Sequence, residues 1–312
     1  MLGLVVGAAA LSGVVALSIA WGDRARFAAV LENAEPAWFA LGVVLQALTS
    51  LMPAAGWWAV LHRAGRPVGL GHLYGLALVQ SFTNQALPAG GLAGIVMVVG
   101  GMDRQGVPRP AGLAAMLVDQ LGWLSSYAAS IITALGWYAV RGALRPVLVL
   151  GGTVLVVTLV AQGFGLVWLT SPGRVLPAWL PRSPQVNELA HSLLDTDPRL
   201  VRDPQLLVWC FALRGVNVAL DGATSWACLR AVGVELSAPD AAAAFIVAWA
   251  GRSMGLVPGG LGTYEASSIA ALMLLGVPME PALAATLLFR VLTFWLPMVP
   301  GLLLGGVLGR QR

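Results

Sequence analysis

Six ionisable side chains fall inside apolar stretches of this sequence: Asp119, Arg214, Asp221, Arg252, Glu265 and Arg290. At a bilayer centre each would cost roughly 2.5–3.5 kcal/mol on insertion scales, so each is expected to face the protein interior and to find a partner. Their formal charges cancel. Arg214, Asn217 and Asp221 recur at i, i+3 and i+7, which places them on one helical face. Such a face serves either as a secondary polar network gluing spans together or as a ligand contact.

A second cluster is denser. Arg252 lies about two helical turns before the run Pro258-Gly259-Gly260-Leu261-Gly262, Tyr264 and Glu265 follow that run, and Arg290 sits in the next apolar stretch. A half-helix opening after Gly259, Gly260 and Gly262 would present free backbone N–H groups and a positive dipole end, a seat for an anion. Two guanidiniums beside it match a phosphate or carboxylate, with Glu265 orienting one of them or neutralising it when the site is empty. A purely structural Arg–Glu network is the other reading. An earlier run, Leu87-Pro88-Ala89-Gly90-Gly91, is chemically poorer: it offers Gln80, Asn84 and Gln85 before the break, and Asp119-Gln120 where the later copy has Phe289-Arg290.

The elements that must position these groups follow from composition. The chain has 312 residues, 58% hydrophobic and 10% charged, with mean hydropathy +0.81, whereas soluble domains are nearer a quarter charged. Charges cluster between apolar runs long enough for a bilayer core of about 30 Å. The expectation is an all-α polytopic membrane protein forming a single transmembrane domain over 1–312. Spans are expected at 2–21, 36–61, 111–140, 147–170, 206–231 and 282–308, with a cytoplasmic interfacial segment at about 171–204 carrying a short amphipathic helix near Asn187 to Leu194.

The stretches 73–102 and 240–276 are interrupted, and they match at a constant offset of 170. Pro88 aligns with Pro258, Gly90 with Gly260, Gly106-Val107-Pro108 with Gly276-Val277-Pro278, and Leu113, Ala114 and Ala115 with Leu283, Ala284 and Ala285. This is an internal repeat, with unit one at about 1–140 and unit two at about 147–308. If both interrupted stretches cross the membrane there are eight spans, two of them kinked, and loop Arg divide seven against eight. If both turn back there are six spans and ten Arg face five. The positive-inside rule favours the second plan, with both termini cytoplasmic in the cell inner membrane or plasma membrane. The two units then face opposite ways, as in transporters built from inverted repeats.

All 18 basic residues are Arg, and no basic stripe interleaved with aromatics exists, so nucleic acid is not expected as a partner. Cys210 and Cys228, 18 residues apart on one helix, would lie about 27 Å apart and are not expected to pair. His62, His72 and His191 lie in loops or at helix edges, which gives no metal site, no base for Ser253 and no expected cofactor.

The run from Arg252 through Pro258-Gly259-Gly260-Leu261-Gly262-Thr263-Tyr264-Glu265, the later Gly276-Val277-Pro278, and Arg290 followed by Phe294-Trp295-Leu296-Pro297 resemble the C-terminal signature of the lysylphosphatidylglycerol synthetase transmembrane region, also called flippase-like integral membrane proteins. Asn84 with Leu87-Pro88, and Asp119 after Gly106-Val107-Pro108, resemble its N-terminal signature. The resemblance implies a lipid flippase or lipid transporter, with Arg252, Gly259, Gly260, Gly262, Tyr264, Glu265, Arg290, Asn84 and Asp119 at the substrate. It also implies that the chain, lacking the soluble aminoacyltransferase domain some members carry, is not an enzyme. Gly91-Leu92-Ala93-Gly94 and Gln120 replace residues that are usually charged, which points to a less charged or different headgroup. Two alternatives are a structural or regulatory partner of a lipid- or glycan-modifying enzyme, for which a partner enzyme or a second copy of the chain would be the companion, and an intramembrane transferase.

Overall fold

A computed structural model describes residues 34–86, 92–171, 192–193, 195–253, 260, 262–297 and 300. The expected first span, Leu87 to Gly91, Pro258, Gly259, most of the interfacial segment and the last residues of the expected final span lie outside these. Within them the chain is helical, with no strand.

Helix α1 (Pro36–Thr49) continues into α2 (Leu51–Arg63) across a break at Ser50. Next come α3 (Leu70–Ala86), α4 (Leu92–Asp103), α5 (Arg109–Val140), α6 (Pro146–Leu169), a single turn α7 (Pro198–Val201), and α8 (Pro204–Ala231). The chain ends in α9 (Ala238–Ser253), α10 (Thr263–Leu274), and α11 (Met279–Arg290), which runs into a π-helical turn at Val291–Trp295. Proline stands in the first turn of α1, α5, α6 and α8, where its missing N–H has no intrahelical partner to lose. Asp203 caps α8 by accepting from the N–H groups of Gln205 and Leu206 at 2.9 and 3.4 Å. Burial opposes its charge, but those two N–H groups and the Arg63 guanidinium outweigh burial and hold the carboxyl below its ordinary range.

Among the described residues three helices are long and apolar enough to cross a membrane: Pro36–Arg63 taken together, Pro146–Leu169 and Pro204–Ala231. The protein is therefore a helical membrane protein. Helix α8 is its axis and packs on α1, α2, α5, α9 and α11. It comes close to α5 at Gly122, where an added Cβ would lie 2.7 Å from the Cys210 backbone carbon, so the crossing there admits only glycine. Helix α6 is peripheral and turns Val147, Leu150 and Phe164 outward, each about 70% exposed, as a lipid-facing helix would. Thr83, Ser125, Thr158 and Thr224 donate to the carbonyl one turn back, which satisfies their hydroxyls in apolar surroundings. Cys210 and Cys228 are buried and unpaired, as their spacing predicts.

The two interrupted stretches do not run straight. In the first, α4 folds back along α3: Asn84 meets Gly94 near the break, while Leu76 meets Gly101 and His72 reaches the Gly101 carbonyl at 3.4 Å away from it. In the second, Gly251 meets Ser267 near the break, and Ala241 and Ala244 share a core with Ala271 and Leu272 at the far end. Each stretch is thus an antiparallel pair of half-helices, of about 25 and 18 Å at 1.5 Å per residue.

Their open ends lie at opposite ends of the bundle. Asp103–Arg109 joins α4 to α5, Arg63–Asp203 joins the end of α2 to the start of α8, and Arg202 reaches Ser171 at the end of α6. At the other end Asp240, which begins α9, accepts from Trp137 at 2.8 Å and pairs with Arg141 at the end of α5, while Tyr138 donates to the Ala271 carbonyl of α10 at 3.0 Å. The turns Gly106-Val107-Pro108 and Gly276-Val277-Pro278 have one shape. Each glycine has positive φ (79° and 86°), and each valine N–H bonds back to the helix, to Met102 at 3.2 Å and to Leu272 at 3.1 Å.

Candidate functional site

Between the two broken pairs lies a polar cavity of about 610 Å³. Helix α3 contributes Gln80, Ser81, Asn84 and Gln85; α8 contributes Arg214, Asn217 and Asp221; and Arg252, Gly260, Tyr264 and Arg290 come from the second broken element and α11. Sequence reasoning treated Arg214, Asn217 and Asp221 as a network apart from the Arg252 cluster. The structure corrects this, because both groups line one hollow.

Each charge has a different standing. Glu265, the third residue of α10, turns one oxygen back to the N–H of Gly262 (2.6 Å) and offers the other to Arg290 Nε (2.7 Å). Both side chains are buried, at 1% and 3% exposed. The Arg290 guanidinium is held between the rings of Tyr264 and Phe294, 5.2 and 4.8 Å from their centroids. Its edge toward the cavity is therefore fixed in direction. The expectation that the α10 N-terminus stays open for an anion is corrected at Gly262: its N–H is taken by Glu265, and neither Gly262 nor Glu265 lines the cavity. Gly259 lies outside the described residues.

Asp119 is likewise placed behind the wall rather than in it. It accepts from Arg214 Nε at 2.8 Å, pairs with Arg214 Nη2, and accepts from Trp57 Nε1 at 3.1 Å. Arg214 Nη1 then donates to Asn217 Oδ1 at 3.1 Å, which turns Asn217 Nδ2 toward Asp221 Oδ2 at 3.2 Å. Trp57 and Arg214 thus converge as donors on Asp119, and from Arg214 a directed pair of hydrogen bonds leads through Asn217 to a cavity carboxylate.

Arg252 differs from the other two. Its stem packs on Gly260, whose φ of +65° and lack of Cβ make the space. Its guanidinium has no hydrogen-bond or ion-pair partner among the described residues and is repelled by Arg290. Asp221 also makes no ion pair within 4 Å among them. Two of the three Arg are therefore neutralised from behind, by Asp119 and Glu265, leaving Arg252 and Asp221 as the cavity's own charges.

Sequence reasoning missed one wall and one polar edge. Tyr127 and Trp249 stack at 3.9 Å between ring centroids and Trp123 abuts Trp249 at 5.2 Å, so the three form a continuous shelf. The i, i+4 spacing of Trp123 and Tyr127 was the available signal. Gln46, Thr49 and Ser50, at the break between α1 and α2, also line the cavity; their polarity inside an apolar span marked them.

Helices throughout the described residues, three of them long and apolar enough to cross a membrane, around a polar cavity define a helical membrane protein. A family model, Lysylphosphatidylglycerol synthase TM region, matches residues 1–301, and the chain belongs to that family. A comparison with curated proteins gives no match.

Proposed function

We propose that this protein carries a phosphate-bearing, polar-headgroup lipid between the leaflets of a cell membrane. The observation behind this reading is the Arg252 guanidinium, without a partner among the described residues, in a cavity of about 610 Å³ lined by both broken elements. Ligand sites commonly fall between 300 and 1,000 Å³, and an unpaired guanidinium there offers a fork for a phosphate. Arg290 stands beside it. The aromatic shelf of Trp123, Tyr127 and Trp249 and the amides of Gln80, Asn84 and Gln85 suit the uncharged part of a headgroup, while the acyl tails remain in lipid.

In this reading the two pairs of half-helices are re-entrant hairpins of inverted repeats, meeting at the cavity from opposite membrane faces. Backbone irregularity at that depth is tolerated because it lines a wet hollow. The end carrying Arg63, Arg66, Arg104, Arg109, Arg199 and Arg202 is cytoplasmic. Family membership supports lipid handling in general.

The test is transbilayer movement of tail-labelled phospholipids in vesicles containing the full chain. Movement faster than in protein-free vesicles is expected, together with a loss of about tenfold or more in Arg252→Ala, the equivalent of one charge-assisted hydrogen bond. Equal rates with and without protein for every headgroup would overturn the proposal.

A further inference from the structure

Among the described residues three carboxylates, Asp119, Asp221 and Glu265, sit at depth in the bundle, and their surroundings separate them. Asp119 is tied to Arg214 at two points and to Trp57, and is 3% exposed. Glu265 is tied to Arg290 and the Gly262 N–H, and is 1% exposed. Neither reaches the cavity, and each is needed where it is to neutralise an Arg. Of the three, only Asp221 lines the cavity, half-buried, with the amides of Asn217 and Gln46 and, among the described residues, no guanidinium bonded to it.

From these placements we infer that Asp221 is a proton-binding site that works together with Arg252, so that the protein takes up a proton when an anionic headgroup enters the cavity. The inference rests on the headgroup reading above and deepens it.

The groups facing Asp221 can be followed helix by helix. From α8 itself come Arg214 and Asn217; from α1, Gln46; from α5, Tyr127; from α9, Arg252; and from α10, Tyr264. On α11, Arg290 is committed to Glu265, and α2 lends the cavity only Pro53 beside the junction residue Ser50. Among these, Arg214 already has its counter-ion, so the balance that matters is Asp221 against Arg252. With Asp221 ionised the pair is neutral and an incoming phosphate faces a carboxylate. With Asp221 protonated the cavity carries one net positive charge, and the phosphate meets Arg252 without that repulsion.

Gln46 bears on both states of Asp221. It hydrogen-bonds the Asp221 side chain, which supports the ionised form, and gives an Nε2 hydrogen to Thr49 Oγ1 at 3.0 Å, while its buried Oε1 has no donor among the described residues. Protonated Asp221 has an O–H to give, which ionised Asp221 lacks.

Binding and protonation are then linked. One proton taken up per headgroup makes the apparent affinity rise by at most about tenfold for each pH unit lowered through the titration of Asp221. The probe is short-chain phosphatidylglycerol, whose phosphodiester keeps one negative charge throughout. Calorimetric titration of the detergent-solubilised full chain at fixed pH, in two buffers of different ionisation heat, reads the protons taken up per lipid bound. Wild type is expected to take up protons and Asp221→Asn to bind with none and with an affinity flat in pH, while Asp221→Glu restores uptake. The wild-type value is read without any variant, so a folding defect in Asp221→Asn leaves it standing. Lipid binding by wild type without proton uptake, or uptake undiminished in a folded Asp221→Asn, overturns the inference while sparing the headgroup reading. No binding of the lipid or of its tail-free glycerophosphodiester headgroup overturns both, and binding of the tail-free headgroup equal to that of the lipid makes a soluble phosphodiester the partner of the same proton.

Discussion

Glu265 and Asp119 perform one task at two places: each sits behind an Arg, cancels its charge and aims it at the cavity. Removing one partner of a buried ion pair leaves the other uncompensated, at about 3–5 kcal/mol. Glu265→Gln and Asp119→Asn are therefore expected to lower unfolding stability by that order, since Arg290 and Arg214 remain at 3% and 13% side-chain exposure. Arg252→Gln should leave stability nearly unchanged, because no bond among the described residues is lost, while phosphate-lipid binding falls. Thermal unfolding of purified variants in detergent measures the contrast. Equal losses in all three would show that Arg252 is held by the fold in the same manner as its neighbours, against its placement as a ligand group. The charged residues themselves were legible in the sequence, because a charge inside an apolar run has to be explained. Their pairing was not: Asp119 and Arg214 are 95 positions apart, on helices that meet only after folding, so spacing on one helix shows the face that Arg214 shares with Asn217 and Asp221 but not its counter-ion. The aromatic shelf was hidden for the same reason, since Trp249 joins Trp123 and Tyr127 from another element.

At the scale of elements, glycines and caps decide how closely helices approach and where they end. An added methyl at Gly122 would sit 2.7 Å from the Cys210 backbone and force α5 and α8 apart. Gly122→Ala should thus destabilise by about 1–3 kcal/mol, an overpacking loss readable by thermal unfolding. Gly260→Ala combines a left-handed backbone with a collision against the Arg252 stem. Its effect should appear in lipid binding rather than in stability alone, since it displaces the guanidinium. Asp203 supplies a pH dependence at the first end. Its carboxyl is held below the ordinary range, chiefly by the Gln205 and Leu206 N–H groups against the opposing effect of burial. Its contribution is therefore present above the unfolded pKa and lost as pH falls through the folded one. Unfolding temperature in acid should fall more steeply for wild type than for Asp203→Asn, which keeps a capping side chain without the charge. Broken elements were legible from Pro and Gly inside apolar runs. The closure of the α10 N-terminus by Glu265 was also available, as an acid three residues after Gly262, but it competes with the anion-site reading and only the coordinates choose between them.

For the whole molecule the decisive matter is which surfaces share a membrane face. If the first broken element is a hairpin, the turns before α3 and after α4 emerge together; if it crosses, they emerge on opposite sides. Arg66 and Gln105 are exposed on those turns, and Glu235 and Met279 are exposed at the corresponding points of the second element. Cys210 and Cys228 are both fully buried, so the native thiols provide a quiet background for labelling. Arg66→Cys and Gln105→Cys are expected to react with a membrane-impermeant maleimide from one face, and Glu235→Cys and Met279→Cys from the other. Reaction of Arg66→Cys and Gln105→Cys from opposite faces would exclude the hairpin. The cavity would then be a pocket among kinked spans, with no symmetric entry from the two leaflets. A same-face result for each pair, opposite between pairs, gives the cavity one broken element reaching it from each leaflet. A headgroup anchored at Arg252 could then be handed from one side to the other while the paired Arg214 and Arg290 stay fixed.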